Sequence, residues 1–316
     1  MKKISIVFAG WMCCVVPSLA DTMSLNDALR ATYTACVGID EKLADLKKMA
    51  GINTAITGVG TGVGVGATAV GLVKASKDKQ LESVEIELEK LRELEEQHKV
   101  PTDQTADDAD RFMAELETSW NSIVEKIKKK EAERDKLNKQ SKSLGNWRTG
   151  LMAGATATNV AGAIIAGTNG TNGLVEDMIS NCSKTVESLN RSVAQARLNG
   201  EDVTEAQQIV AACREYNSVD ISKIAKRARG AMTASIVGAA TGATGTVLSA
   251  VANSDSVRDN NTDDGRQKEK NLNTASNVMA GVTTAASATA TVFNATQISA
   301  IKKVVAVAEK CEGILQ

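Results

Sequence analysis

Apolar and polar positions divide the chain into uncharged stretches and charged connections. Four stretches contain no charged residue: residues 49–73, 149–175, 230–254 and 271–301. Each is long enough to cross a bilayer as a helix. Because Gly, Thr, Ala and Asn dilute their Val, Ile and Leu, each stretch is only marginally hydrophobic, and the last is the weakest. The pattern predicts an all-α protein built around four long antiparallel helices.

The order of the stretches predicts an internal duplication. Cys36 precedes the first stretch and Cys182 follows the second, while Cys213 and Cys311 hold the same places around the third and fourth. We therefore expect a duplicated helical hairpin. The predicted organisation is a signal peptide at 1–20, a first hairpin repeat at 21–198 with an insertion at 77–147, and a second repeat at 199–316.

Small residues recur at every fourth position of the stretches, which stacks them along one face of each helix. A glycine in an exposed helix costs about 1 kcal/mol relative to alanine, so such rows favour faces that another backbone covers. This spacing resembles that of glycine-zipper membrane hairpins. It predicts helix packing through Gly58, Gly62 and Gly66, then Gly150, Gly154, Gly162 and Gly170, then Gly230, Gly238 and Gly242, and finally Gly281. Alternation of Gly with Val or Thr over residues 57–66 leaves a β-strand as the alternative there.

The charged insertion at residues 77–147 predicts a coiled-coil hairpin. Pro101 divides it into two arms, and each arm carries apolar residues at heptad spacing. The first arm is rich in glutamate and the second in lysine, so opposite charges favour antiparallel pairing. The second connection, residues 255–270, is polar and lacks apolar periodicity, which predicts a flexible loop.

Residues 1–20 have the pattern of a secretory signal, with a basic start, an apolar run and a small-x-small site ending at Ala20. An N-terminal membrane anchor is the alternative. Four cysteines remain after cleavage: Cys36, Cys182, Cys213 and Cys311. In an exported chain this even number favours two disulfides over a zinc site, because no two of them have close ligand spacing.

The duplication selects among the three pairings that four cysteines allow. In antiparallel hairpins the two cysteines of each half fall at similar heights, about four residues or roughly 6 Å apart in the first half. We therefore expect Cys36 to pair with Cys182 and Cys213 with Cys311, with all four sulfurs at one end of the bundle. A bond between Cys182 and Cys213 is the alternative.

Composition excludes most catalytic chemistry. The 316 residues include 37 Lys and Arg against 38 Asp and Glu, which argues against a polybasic nucleic-acid binder. The single histidine, His98, excludes histidine triads and histidine-ligated metals. A partial calcium loop from Asp259 has Asp264 and Lys270 where glycine and glutamate are needed. We expect no enzymatic activity, cofactor or metal.

Two functional classes follow. The first is an exported protein of a bacterial-type cell envelope, membrane-associated and self-assembling through glycine-rich helix faces as a pore or scaffold; its partners are further copies and membrane lipid. The alternative is a soluble exported bundle, periplasmic or secreted, whose hairpin at residues 77–147 engages a protein partner. Neither class binds nucleic acid. Basic residues beside the stretches, including Lys47, Lys48 and residues 226–229, do not set an orientation by the positive-inside rule.

Overall fold

The computed structural model describes residues 23–97, 109–170, 173–258 and 262–315. Within these ranges the regular structure is entirely helical, so the all-α prediction is confirmed there. Residues 57–66, for which a strand was the alternative, lie inside a helix. The signal peptide, His98 and Pro101 lie outside the described residues.

The described residues form eight α-helices and a short 3-10 helix. They are α1 (Leu25–Cys36), α2 (Ile39–Gln97), α3 (Ala109–Gly170), α4 (Leu174–Leu198), α5 (Thr204–Cys213), the 3-10 helix (Arg214–Ser218), α6 (Ser222–Ala252), α7 (Asp255–Arg258) and α8 (Asp263–Leu315). The four uncharged stretches lie within or largely within α2, α3, α6 and α8.

The chain divides into two compact units. The described part of unit 1 comprises residues 23–45, 173–221 and 301–315, and that of unit 2 comprises 46–170 and 222–300, apart from the gaps given above. Each unit draws on both predicted repeats, so the units cut across the boundary expected at residue 198. The internal duplication stays a prediction.

Unit 1 is built from α1, α4 and α5, together with the first residues of α2 and the last of α8. Its buried apolar side chains include Leu43, Ile179 and Leu189. The Ser24 hydroxyl caps α1 by accepting a hydrogen bond from the N–H of Asp27 at 3.2 Å. The buried apolar side chains form the core of unit 1.

Unit 2 contains four long helices whose contacts run in opposite directions along each neighbouring pair. Along α2 and α3, Gly60 lies beside Thr158 and Gly71 beside Arg148. The same reversal relates α2 to α8 through Asn53–Asn294 and Gly71–Asn277, and α3 to α6 through Asn159–Gly238 and Met152–Gly245. Neighbouring helices of the bundle are therefore antiparallel.

Successive buried positions in this bundle are spaced alternately three and four residues apart. Along α6 they fall at positions 224, 228, 231, 235, 238, 242, 245, 249 and 252. This average of 3.5 is the period of a left-handed supercoiled bundle. A strict period of four rotates by about 40° per step around a helix. The predicted glycine rows therefore drift away from the buried face.

The charged insertion forms two packed helical arms. Val84 and Leu88 of α2 lie in one apolar cluster with Ile123, Ile127 and Leu137 of α3. Two ion pairs also join the arms, Arg92–Glu131 at 2.9 Å and Glu87–Lys130 at 2.7 Å. Exposed pairs add little stability, so the apolar seam holds the arms together and the charges favour their antiparallel order.

Residues 255–270 differ from the flexible loop expected. α7 occupies Asp255–Arg258, and α8 already begins at Asp263. The Thr262 hydroxyl accepts a hydrogen bond from the N–H of Gly265 at 3.1 Å, and Glu269 pairs with Lys74 of α2 at 3.4 Å. Apolar periodicity did not reveal this helical start because capping and ion pairs, rather than an apolar face, attach it to the bundle.

Candidate functional site

The four uncharged stretches lie side by side in unit 2. The contacts between the helices set their register, and the stretches overlap over about 19 residues of each helix, roughly 28 Å at a rise of about 1.5 Å per residue. We call this overlap the uncharged band. It comprises residues 52–70 of α2, 149–167 of α3, 230–248 of α6 and 277–295 of α8.

The outer surface of the uncharged band carries branched apolar side chains. Each of the following is at least 40% exposed: Ile52, Val59, Val65, Val160, Ile164, Ile236, Val237, Val247, Val278, Val282 and Val292. They come from all four helices. Scattered apolar residues are normal on a protein surface, whereas these form a set that continues around a charge-free band.

The interior of the uncharged band is small and polar instead. Its buried apolar residues are Met152 and the alanines Ala67, Ala155, Ala166, Ala231, Ala280, Ala286 and Ala290. Its buried polar residues are Asn53, Thr57, Asn159, Ser235, Thr283, Ser287 and Asn294. The exposed large side chains of the band are thus mainly Val and Ile, and its amides are buried. Leu151 and Met279 are exceptions that pack against Ala67, Met152 and Ala280, and the hydroxyls of Thr233, Thr244 and Thr289 lie on exposed residues.

Most of these interior polar groups are hydrogen-bonded between helices or to their own helix. The Asn53 amide donates to the Asn294 carbonyl oxygen at 3.1 Å, and the Asn159 amide donates to Ser287 Oγ at 2.8 Å. Thr57 and Thr283 donate to the carbonyl four residues earlier in their helices, each at 2.8 Å. Such pairing offsets the desolvation cost of buried polar groups.

The predicted glycines divide between the contact face and the outer surface. A Cβ at Gly162, Gly230, Gly238 or Gly242 would lie no more than 3.0 Å from a side-chain atom of a neighbouring helix. A Cβ at Gly66 or Gly154 would make ordinary contact, at 3.6 and 3.5 Å. A Cβ at Gly58, Gly62, Gly150 or Gly281 would meet nothing within 4 Å. Gly170 ends α3, and its surroundings lie outside the described side chains.

The tightest glycine contacts of α2 fall elsewhere, at Gly60, Gly64 and Gly71. A Cβ at Gly64 would lie 2.6 Å from Thr284 Oγ1 and 3.3 Å from Thr284 Cα. These three glycines, like Asn53 and Thr57, follow spacings of three, four or seven residues. Searching the sequence with a heptad instead of a period of four would have found them.

Buried charges lie just beyond one end of the uncharged band. Lys74 is almost fully buried and pairs with Asp78 at 2.7 Å and Glu269 at 3.4 Å. Arg148 is also fully buried, yet its three guanidinium nitrogens have no hydrogen-bond partner among the described residues. Its neighbour Trp147 is 68% exposed on the outer surface. None of these three residues is among the predicted site residues.

The four predicted disulfide cysteines lie together in unit 1 and are fully buried. The structure joins Cys36 to Cys182 and Cys213 to Cys311, as the duplication predicts, with Cα–Cα distances of 4.8 and 4.6 Å. The sulfurs of Cys36, Cys182 and Cys311 lie within 4.8 Å of one another. The two disulfides are therefore neighbours within unit 1.

By length and composition, three helical segments of the described chain could cross a membrane: Leu25–Gln97, Glu117–Thr168 and Thr204–Ala252. Their best windows have mean hydropathies of 1.6, 1.3 and 1.4. The fourth stretch, in α8, is not among them, in line with the weakness expected from its sequence. One cause is Asn294, whose side chain is fully buried in the bundle interior.

Unit 2 thus belongs to the class of all-α antiparallel bundles with an apolar exterior and a polar interior. No protein-family model, no curated protein and no solved structure matches the chain.

Proposed function

We propose that this chain is an integral membrane protein of a bacterial-type cell envelope and that the uncharged band of unit 2 crosses the bilayer. In this role the protein is a structural scaffold without catalysis. The observation that carries the proposal is the inverted polarity of the band, with mainly Val and Ile side chains outside and amides inside.

The inversion separates a membrane bundle from a water-soluble one. A helical bundle in water buries its large apolar residues at the heptad positions and exposes polar ones. In a bilayer lipid is as apolar as leucine, so helices associate through small residues and interhelical polar contacts. Gly64 against Thr284 and Asn53 against Asn294 are contacts of this second kind.

The dimensions and edges of the band support the same placement. Its height of roughly 28 Å is close to the bilayer hydrocarbon thickness of about 30 Å. Trp147 is exposed two residues before the first residue of the band on α3, where an aromatic side chain would lie at the membrane interface. The charged hairpin continues α2 and α3 beyond this edge, so it would remain in water and available to a protein partner.

The proposal includes self-assembly as a scaffold rather than a pore. The interior positions hold packed side chains, as at Gly60 and Gly238, where a Cβ would clash. Gly58 and Gly62 have open space on the outer surface, four residues apart on α2. A second copy could approach α2 closely there, as small-residue motifs permit between membrane helices.

The test combines carbonate washing of membranes with thiol labelling of the full mature chain. Val59→Cys places a thiol on the band, and Lys128→Cys places a matched thiol on an exposed position of the hairpin. The chain has six cysteines, and four of them are paired in the structure. Cys13 and Cys14 lie in the predicted signal at residues 1–20, so the experiment uses protein that lacks these residues, in which a maleimide reports the new thiol. We expect the protein to stay in the washed membranes, with the hairpin thiol labelled directly and the band thiol only after denaturation.

Two other results would overturn the proposal. Release by carbonate together with direct labelling at Val59→Cys would establish the soluble exported bundle. Release by carbonate with the band thiol still shielded, and cross-linking between copies, would show that a second copy covers the band instead of lipid.

A further inference from the structure

A group of cations borders the end of the uncharged band opposite Trp147. We call this group the cationic collar; it comprises Lys47 and Lys48 of α2 and Lys226, Arg227 and Arg229 of α6. Arg227 is partly buried, and the other four are exposed. All five belong to unit 2.

Two contacts place both halves of the collar at the same height. Arg227 Nη1 donates a hydrogen bond to the carbonyl of Thr296 in α8 at 2.7 Å. Asn53 of α2 bonds to Asn294, which lies only two residues away on α8. Lys47 and Lys48 precede Asn53 by about one and a half helical turns. The five cations therefore lie at or just past the same edge of the band.

The collar lacks acidic neighbours within its unit. No Asp or Glu occurs in residues 46–73, 149–170, 222–254 or 271–300. The nearest acidic residues along the chain are Asp45, which lies three residues before Lys48 on α2, and Asp220, which precedes α6. At the opposite edge Lys74 is matched by Asp78 and Glu269, and Lys142 by Asp255. The collar edge of the band thus carries five cations with an acidic residue, Asp45, only at its outer side on α2, and the other edge is mixed.

We propose that the cationic collar binds the phosphate groups of anionic phospholipids at its edge of the bilayer. This inference rests on the proposed membrane placement. Headgroup phosphates lie at the edge of the hydrocarbon layer, and long lysine and arginine side chains reach them from the end of an apolar helix. The collar acts on the inserted protein, so it does not depend on the positive-inside rule that governs insertion.

The test measures flotation of the full mature chain with phosphatidylcholine vesicles, alone or mixed with phosphatidylglycerol, at low and high salt. The collar variant carries Lys47→Gln, Lys48→Gln, Lys226→Gln and Arg229→Gln, and it keeps Arg227 because of its bond to Thr296. The matched control carries Lys126→Gln, Lys128→Gln, Lys136→Gln and Lys139→Gln in the hairpin, so both variants lose four positive charges.

We expect the wild type and the control to prefer anionic vesicles by at least about tenfold at low salt, and high salt to weaken this preference. The collar variant should bind both vesicle types equally and keep its affinity for phosphatidylcholine. A preference that survives in the collar variant, or that the control loses equally, overturns the collar. The collar is also overturned if the protein shows no preference between the two vesicle types but binds a DNA oligonucleotide through the collar residues.

Failure of the two proposals gives different results. Wild-type protein that floats equally with both vesicle types contradicts the collar alone. Protein that floats with neither contradicts the membrane placement and the collar together. If the collar variant loses its helical circular dichroism, the double variant Lys47→Gln and Lys48→Gln replaces it, and the salt dependence of the wild type is measured beside it. The collar is again overturned if the double variant keeps the full preference for anionic vesicles and high salt does not weaken that preference in the wild type.

Discussion

Lys74 and Arg148 are two long cationic side chains buried in the same bundle, and their surroundings differ. Two carboxylates compensate the Lys74 ammonium, those of Asp78 and Glu269. The guanidinium of Arg148 has no hydrogen-bond partner among the described residues. A buried charge that lacks a partner costs several kcal/mol, whereas a paired one roughly offsets its desolvation.

The first prediction is that two substitutions of similar size change stability in opposite directions. Arg148→Met removes a buried charge that has no hydrogen-bond partner among the described residues and that only the nearby Asp78 carboxylate offsets, so it should raise the free energy of unfolding by about 1–3 kcal/mol. Lys74→Met leaves two carboxylates without their cation and should lower it by about 3 kcal/mol or more. Unfolding followed by circular dichroism in a mild detergent compares the two variants. A larger loss for Arg148→Met than for Lys74→Met would mean that Arg148 holds a bound group.

The packing between neighbouring helices depends on which glycines face another helix. Gly62 and Gly64 are two residues apart on α2, yet only Gly64 faces α8 closely. The side-chain oxygen and the backbone Cα of Thr284 both crowd its face, and the backbone of a packed helix cannot rotate aside. Gly62 lies on the open side.

The second prediction contrasts alanine at these two positions. Gly64→Ala should force α2 and α8 apart and cost about 1–3 kcal/mol. Gly62→Ala should be neutral or stabilise the protein by up to about 1 kcal/mol through helix propensity. Thermal melts of both variants under identical conditions measure the difference. Equal melting temperatures would show that Gly64 does not face α8.

The elements were predictable to different degrees, for physical reasons. Long uncharged stretches and heptad apolar residues indicated the helices around residues 49–73 and 77–147, because these signals lie within one segment of sequence. The inverted polarity of the band was not predictable, since composition does not reveal which face of a helix points inward. Arg148 was missed because a charge at the end of an apolar stretch usually reaches water. The start of α8 at Asp263 was missed because its stabilising contacts come from α2.

At the scale of the whole molecule, the two disulfides connect residues that are far apart in sequence within unit 1. Cys36 and Cys182 are separated by 146 residues, and Cys213 and Cys311 by 98. Cross-links that close long loops restrict the unfolded chain most. Both bonds are fully buried. Each joins two segments of unit 1 that are separated along the sequence by helical residues of unit 2.

The third prediction concerns the removal of one disulfide. Replacing Cys36 and Cys182 together with alanine should lower the free energy of unfolding by about 3–5 kcal/mol, with a similar loss for the Cys213 and Cys311 pair. Denaturant unfolding measures both losses, and the reduced wild type serves as the reference that lacks both bonds. Non-reducing peptide mapping that recovers Cys182 joined to Cys213 would contradict the connectivity.

The polar interior of the uncharged band has a consequence for how the protein enters a bilayer. Asn53, Asn159 and Asn294 sit on three different helices, and inserted alone each helix would turn an amide toward hydrocarbon. The Asn53 and Asn294 amides find partners only after the helices have met, whereas the Asn159 amide also bonds to the Ala155 carbonyl of its own helix. On the proposed placement, inserting the helices one by one before they associate is unfavourable in free energy. On that placement the chain would assemble its helices in water before it enters the membrane. Its disulfides could form during this stage.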